Sequence, residues 1–122
     1  MGLSQNVTTT VIIANGAALS NGIFLGDKML AAIIMPAAWT AASLTFQASP
    51  DKGTTWYDLH DDQGNEITIA SPSASEYRQL DPSMFNSVEC IKVRSGTSAT
   101  PVNQGQQANV QLVMTKFFPV TV

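Results

Sequence analysis

The side chains able to do chemistry gather mainly between residues 58 and 66. His60, the only histidine, stands beside Asp61 and Asp62, and an imidazole next to carboxylates can act as a base or ligate a metal. A transition-metal site wants further imidazole or thiolate ligands. The chain offers no second histidine and one cysteine, Cys90, so His60 reads as a loop residue. Asp58, Asp61, Asp62, Asn65 and Glu66 are oxygen donors of the kind calcium takes, with Gly64 to turn the loop. Their spacing does not match an EF-hand, and Asp and Asn are common in turns because they bond their own backbone. No Gly-x-Ser-x-Gly elbow presents a serine nucleophile. Cys90 alternates with Glu89 and Ile91 as in a strand, which makes it a small half-buried filler. The eight glycines are spread one per turn and build no phosphate cradle. These residues predict no catalytic group, no metal and no cofactor, hence a protein that is not an enzyme.

What remains is binding. Trp39, Trp56 and Tyr57 are the aromatics that could stack on a sugar ring, but Trp56 and Tyr57 are neighbours and face opposite sides of one strand. Packing on the core or on a hairpin is the favoured role for them. The C-terminal FFPVTV is different in kind, because Phe117, Phe118, Val120 and Val122 are costly to leave in water. Either this tail folds back on its own domain or it docks on a partner. The polar arm 1–6 and the loop 96–106, with Pro101, Val102 and Gln104, are the other candidate contact elements.

The elements that must hold these residues are strands. Residues 7–14 (VTTTVIIA) are rich in β-branched residues and end at Asn15-Gly16, a hairpin signal, so 17–25 is expected to pair back as a second extended piece, with a bulge at Gly22. Residues 29–35 (MLAAIIM) stop at Pro36 and are too short for a good helix. In 43–49, Leu44, Phe46 and Ala48 alternate with Ser43, Thr45, Gln47 and Ser49, which predicts one buried and one wet face. Pro50-Asp51-Lys52-Gly53 turns this strand into 54–59. Short strands are also expected at 66–69 and 77–80, a single helical turn within 81–87, and longer strands at 88–95 and 107–116. Ile91 and Val93 share one face of 88–95, opposite Cys90, Lys92 and Arg94. The fold class is all-β: a single β-sandwich or jelly-roll-like domain of about eight short strands. Its bounds are 1–122, with the short N-terminal arm 1–6 and the apolar C-terminal tail 117–122.

Bulk properties narrow the partners. A chain of 122 residues that is 44% hydrophobic can close one core. Its net charge is -3 and its six cations are dispersed, whereas nucleic-acid binding relies on clustered Lys and Arg. No stretch has the roughly 20 apolar residues of a membrane helix, and the first residues do not read as a signal peptide. Only 12% of the residues are charged. That is low for a surface facing water all round, and it points to coverage by a partner.

Several segments carry a resemblance. Met35-Pro36-Ala37-Ala38-Trp39-Thr40, Leu44-Thr45-Phe46-Gln47-Ala48-Ser49, the Gly53-Thr54-Thr55-Trp56 hairpin, Leu80-Asp81-Pro82 and Lys92-Val93-Arg94-Ser95-Gly96-Thr97 together resemble a group of small tailed-bacteriophage virion proteins, over residues 11–114. The resemblance implies a head-associated cement or decoration protein that binds the major capsid protein. It further implies a β-rich homo-oligomer, often a trimer, made in bacterial cytoplasm and carried on the capsid surface. Two other roles stay open: a carbohydrate-binding module of a phage fibre, acting through Trp39 or Trp56, and a tail or baseplate subunit.

Overall fold

Period-two alternation drives most of this chain into half-buried strands. The computed structural model describes the backbone of residues 2–119 and the side chains of residues 6–116. Its strands are β1 (Gly2–Ile13), β2 (Ile23–Phe24), β3 (Met29–Ile34), β4 (Leu44–Ser49), β5 (Tyr57–Asp58), β6 (Tyr77–Gln79), β7 (Cys90–Ser95) and β8 (Ala108–Pro119). They form two four-stranded antiparallel sheets, in the orders β1-β8-β3-β6 and β2-β7-β4-β5. The first half of the chain thus lies against the second in reverse, β1 with β8, β2 with β7, β3 with β6 and β4 with β5. That double wrapping is the jelly-roll arrangement of a β-sandwich.

The inward residues make the core between the sheets. Val11, Leu30, Ile33, Val110 and Leu112 come from the first sheet, and Leu44, Phe46, Ile91 and Val93 from the second, all fully buried. A 3₁₀ turn, Pro82–Phe85, adds Phe85. Asp81 caps it by accepting a hydrogen bond from the Ser83 N–H at 3.0 Å, and a proline opens it. The Phe85 ring meets Phe46 edge-on, with centroids 5.3 Å apart. Among the described residues no helix is long and apolar enough to cross a membrane.

Four expectations are corrected. Asn15-Gly16 does turn, with Gly16 at φ 82, but it sends the chain to the other sheet. The next segment touches Arg94 through a bridge at Leu19, and β1 takes β8 as its partner. The alternation in 7–14 says that a strand is half-buried and is silent about which strand pairs with it. Residues 66–69 form no strand; Ile67 and Ile69 are buried as lone bonded residues, the latter bridged to Leu44. The last strand runs on to Pro119, and residues 2–6, expected as a free arm, are its partner within β1. The bulge falls at Ala31, where the β3–β8 register shifts between Leu30 and Ala32, and not at Gly22.

Candidate functional site

The carboxylates and the histidine of 58–66 do not converge. Asp58 and Glu66 both turn to Arg94, whose guanidinium donates to Asp58 Oδ1 at 3.0 Å and to Glu66 Oε2 at 2.8 Å. Its Nε donates to the Thr45 hydroxyl at 3.0 Å. Arg94 is only 7% exposed, so the network ties β7, β4 and β5 to the following loop with a largely buried cation. Ser98 closes it by donating its hydroxyl to Asp58 Oδ2 at 2.6 Å. That hydroxyl first, and Arg94 with it, hold the Asp58 carboxyl below its ordinary range against the opposing effect of burial. Asp61 spends its carboxylate on its own loop, accepting from the N–H groups of Gln63 and Asn65 at 2.9 Å. His60 is exposed, with Nδ1 3.1 Å from the Asp58 carbonyl oxygen. Among the described residues no group of three His, Cys, Asp or Glu side chains could hold a metal. Cys90 is buried, and burial pushes its thiol pKa up, away from the reactive thiolate.

The loop 96–106 is stitched down. Gln104, expected as a partner contact, is 1% exposed. Its side-chain oxygen accepts from Thr40 N at 2.8 Å, and its amide nitrogen donates to Thr40 O at 3.0 Å and to the Ser95 hydroxyl at 2.7 Å. Its side-chain amide ties the loop at Thr40 to its own loop and to Ser95 on β7, which takes it off the exposed surface. Val102 is half-buried and its N–H donates to Ser95 O at 2.9 Å. Pro101 stays exposed, paired across the turn with Gly96. Of the tail, Phe117 and Phe118 are backbone partners of Ser4 and Leu3; Val120 and Val122 lie outside the described residues.

Two surfaces do emerge. The first belongs to the sheet that carries both chain ends. The ladder of β3 on β8 stops at Met29 and Thr115, whereas that of β1 on β8 continues to Gly2 and Pro119. Beyond that point the two strands run as a ribbon on which, among the described residues, no third strand pairs. β1 is also the sheet's edge. Among the described residues only Ile12 of β1 has its outward backbone groups met, the N–H by Asn21 Oδ1 at 2.8 Å and the carbonyl by Asn21 N at 3.4 Å. Ladder alternation then turns the N–H and C=O of Thr10 and Thr8 to the open edge, where no partner meets them among the described residues. None of the strand residues on the outer face of this sheet, from Thr8, Thr10 and Ile12 across Gln111 and Ile34 to Tyr77, is charged. Ile12 is 44% exposed there.

The second surface is the outer face of the other sheet, which is charged. A cleft of about 680 Å³ opens there between Phe24, Gly22, Lys52, Trp56 and Lys92. Trp56 rests on the strand because Gly22 has no side chain: a Cβ there would lie 2.7 Å from the indole carbons. Its Nε1 donates to Gly53 O at 3.0 Å, and the Lys92 ammonium sits 4.5 Å from the ring centroid. Trp39, the other candidate platform, packs half-buried against the core. Tyr57 is exposed on the edge strand β5. The sequence singled out Trp56 but carried no sign of Phe24 or the lysines beside it, because their proximity is set by the pairing of β2 with β7, far apart in the chain.

No protein-family model matches this chain, and no curated protein matches it. Among solved structures it is similar to the SPBc2 prophage-derived protein YomS, with a TM-score of 0.53 at 11% sequence identity, covering 92% of this chain and 96% of that one. The two share a fold over most of their length.

Proposed function

We propose that this chain is a structural protein of a tailed-phage virion, a cement or decoration protein that stabilises the head by binding the major capsid protein. The observation that carries the reading is the open edge of β1 continued into the two-ended ribbon of β1 and β8. A strand edge left open from Thr10 back toward the start of β1 is a template for adding a strand from another chain, and a two-stranded ribbon is marginal in water without a partner. The uncharged outer face beside it suits the same interface, since charged side chains are depleted from interface cores. The shared fold with a prophage-derived protein and the segment resemblance over residues 11–114 support the phage setting. Homo-oligomers, trimers foremost, would be built through the same edge. The reading assigns the chain no reaction and no cofactor.

Purified virions of the source phage test it. Quantitative immunoblotting is expected to find the protein at a fixed ratio to the major capsid protein, with immunogold label on the head. Label on the tail would move the chain to a tail or baseplate role, and absence from intact particles would overturn the virion reading altogether.

A further inference from the structure

The two lysines of the cleft differ from every other cation in the chain. Lys28, Arg78, Arg94 and Lys116 are held in ion pairs with Asp27, Glu76, Asp58 and Glu66. Lys52 and Lys92, the remaining two of the six, have no carboxylate within ion-pair reach among the described residues, and both line the same cleft. A chain of net charge -3 thus brings its two unneutralised cations together at one place on its surface. Beside them stand two aromatic rings. Trp56 is fixed by its bond to Gly53 and by its seat on Gly22, and it carries the Lys92 ammonium on its face. Phe24, which also lines the cleft, is 60% exposed, an apolar ring left in water.

We infer that this cleft binds an acidic saccharide, a pyranose bearing a carboxylate, through Lys52, Lys92, Trp56 and Phe24. The volume suits one or two sugar rings. A carboxylate answers the two ammonium groups with charge-assisted hydrogen bonds, and the apolar face of the pyranose answers the exposed Phe24 ring. Lys92 is placed in advance by its cation–π contact, so little ordering is left to do on binding. The cleft lies on the second sheet, away from the open edge of β1. This inference is independent of the docking edge on the other sheet and stands or falls separately from it.

The test is a titration of the isotope-labelled full chain, following the indole N–H resonances of Trp56 and Trp39, assigned with Trp56→Phe. Methyl β-D-glucuronide and methyl β-D-glucoside are the probes, a pair that differs only in the carboxylate, with sodium acetate as the charge alone. The glucuronide is expected to move the Trp56 resonance saturably and leave that of Trp39 in place, with the glucoside about tenfold weaker, as one charge-assisted bond implies. Lys92→Met should shrink that preference, with Lys52 remaining, and Phe24→Ala should weaken both glycosides. Both side chains lie on the surface, and an unmoved Trp39 resonance reports that each variant is folded. No glucuronide shift in the unaltered chain overturns the inference. So does an equal response to the glucoside, which would leave the lysines without a role, or an equal response to acetate, which would mark an adventitious anion only.

Discussion

Arg94 is the residue on which most of the polar structure turns. Its side chain is 8% exposed, and those of Asp58 and Glu66 are 30% and 17% exposed. Arg94→Met keeps the bulk of the side chain and strands both carboxylates and the Thr45 hydroxyl. The expected loss is about 2–4 kcal/mol of unfolding free energy, at or below the range for fully buried pairs because Asp58 keeps some water, and a urea unfolding curve measures it. Asp51 works differently, since it serves only its own turn. The Thr55 N–H, donating to Oδ1 at 2.8 Å, the Thr55 hydroxyl and the Ser49 hydroxyl bring its pKa down from 3.8 to about 2. A carboxyl whose folded pKa is depressed contributes stability that is present above its unfolded value and fades as pH falls through the folded one. The gap in unfolding midpoint between the unaltered chain and Asp51→Asn is therefore expected to be constant above about pH 5 and to close as pH falls through about 2. The turn residues Pro50 to Gly53 were legible because their chemistry is local. The Arg94 network was not, because its members come from positions 45, 58, 66, 94 and 98, and no short-range pattern joins them.

At the scale of elements, strands were legible wherever apolar and polar residues alternate, although the face of 43–49 expected to be wet holds Thr45 and Ser49 buried, each hydrogen-bonded to a neighbouring turn. The alternation at 43–49 and 107–116 became β4 and β8, and the short 77–80 piece became β6. Where a strand shrinks to two residues, as at Tyr57–Asp58 and Ile23–Phe24, alternation has no length over which to repeat, and the flanking residues carry turn and cleft instead. Pairing partners leave no such trace, so the hairpin signal of Asn15-Gly16 was real as a turn and misleading as a pairing. The edge strand β1 yields a prediction that depends on this ladder. Thr10 turns its N–H outward and Thr9 turns its own toward β8. Proline removes that donor, and sheets tolerate it on the open side of an edge strand. Thr10→Pro is expected to leave the thermal midpoint within a few degrees while weakening capture by the major capsid protein about tenfold or more, as loss of strand addition requires. Thr9→Pro is expected to lower the midpoint outright. If Thr10→Pro bound the capsid protein undiminished in a pull-down on intact shells, the open edge would not be the docking element.

For the molecule as a whole, the jelly-roll wrapping makes the last strand indispensable. β8 lies between β1 and β3, so a chain ending at residue 107 leaves β1 with no partner and splits the first sheet. It also removes Val110, Leu112 and Met114 from the core. Such a chain is expected to show no cooperative unfolding transition. The two ends past the third strand play no comparable part in the sandwich, since beyond Met29 and Thr115 the ladder is β1 on β8 alone. A chain of residues 7–116 retains every described core residue. It is expected to unfold cooperatively within a few degrees of the full chain, as judged by circular dichroism, and yet to fail to decorate shells stripped of the protein. The same two truncated chains separate folding from docking. Because closing the sandwich joins residues from opposite ends of the chain, both the full chain and 7–116 are expected to refold in milliseconds to seconds, as β-sandwiches do, rather than in microseconds. An equal rate for the two would place the ribbon outside the folding nucleus. A truncated chain that folds normally and still decorates shells would shift the docking role from the ribbon to the uncharged sheet face alone.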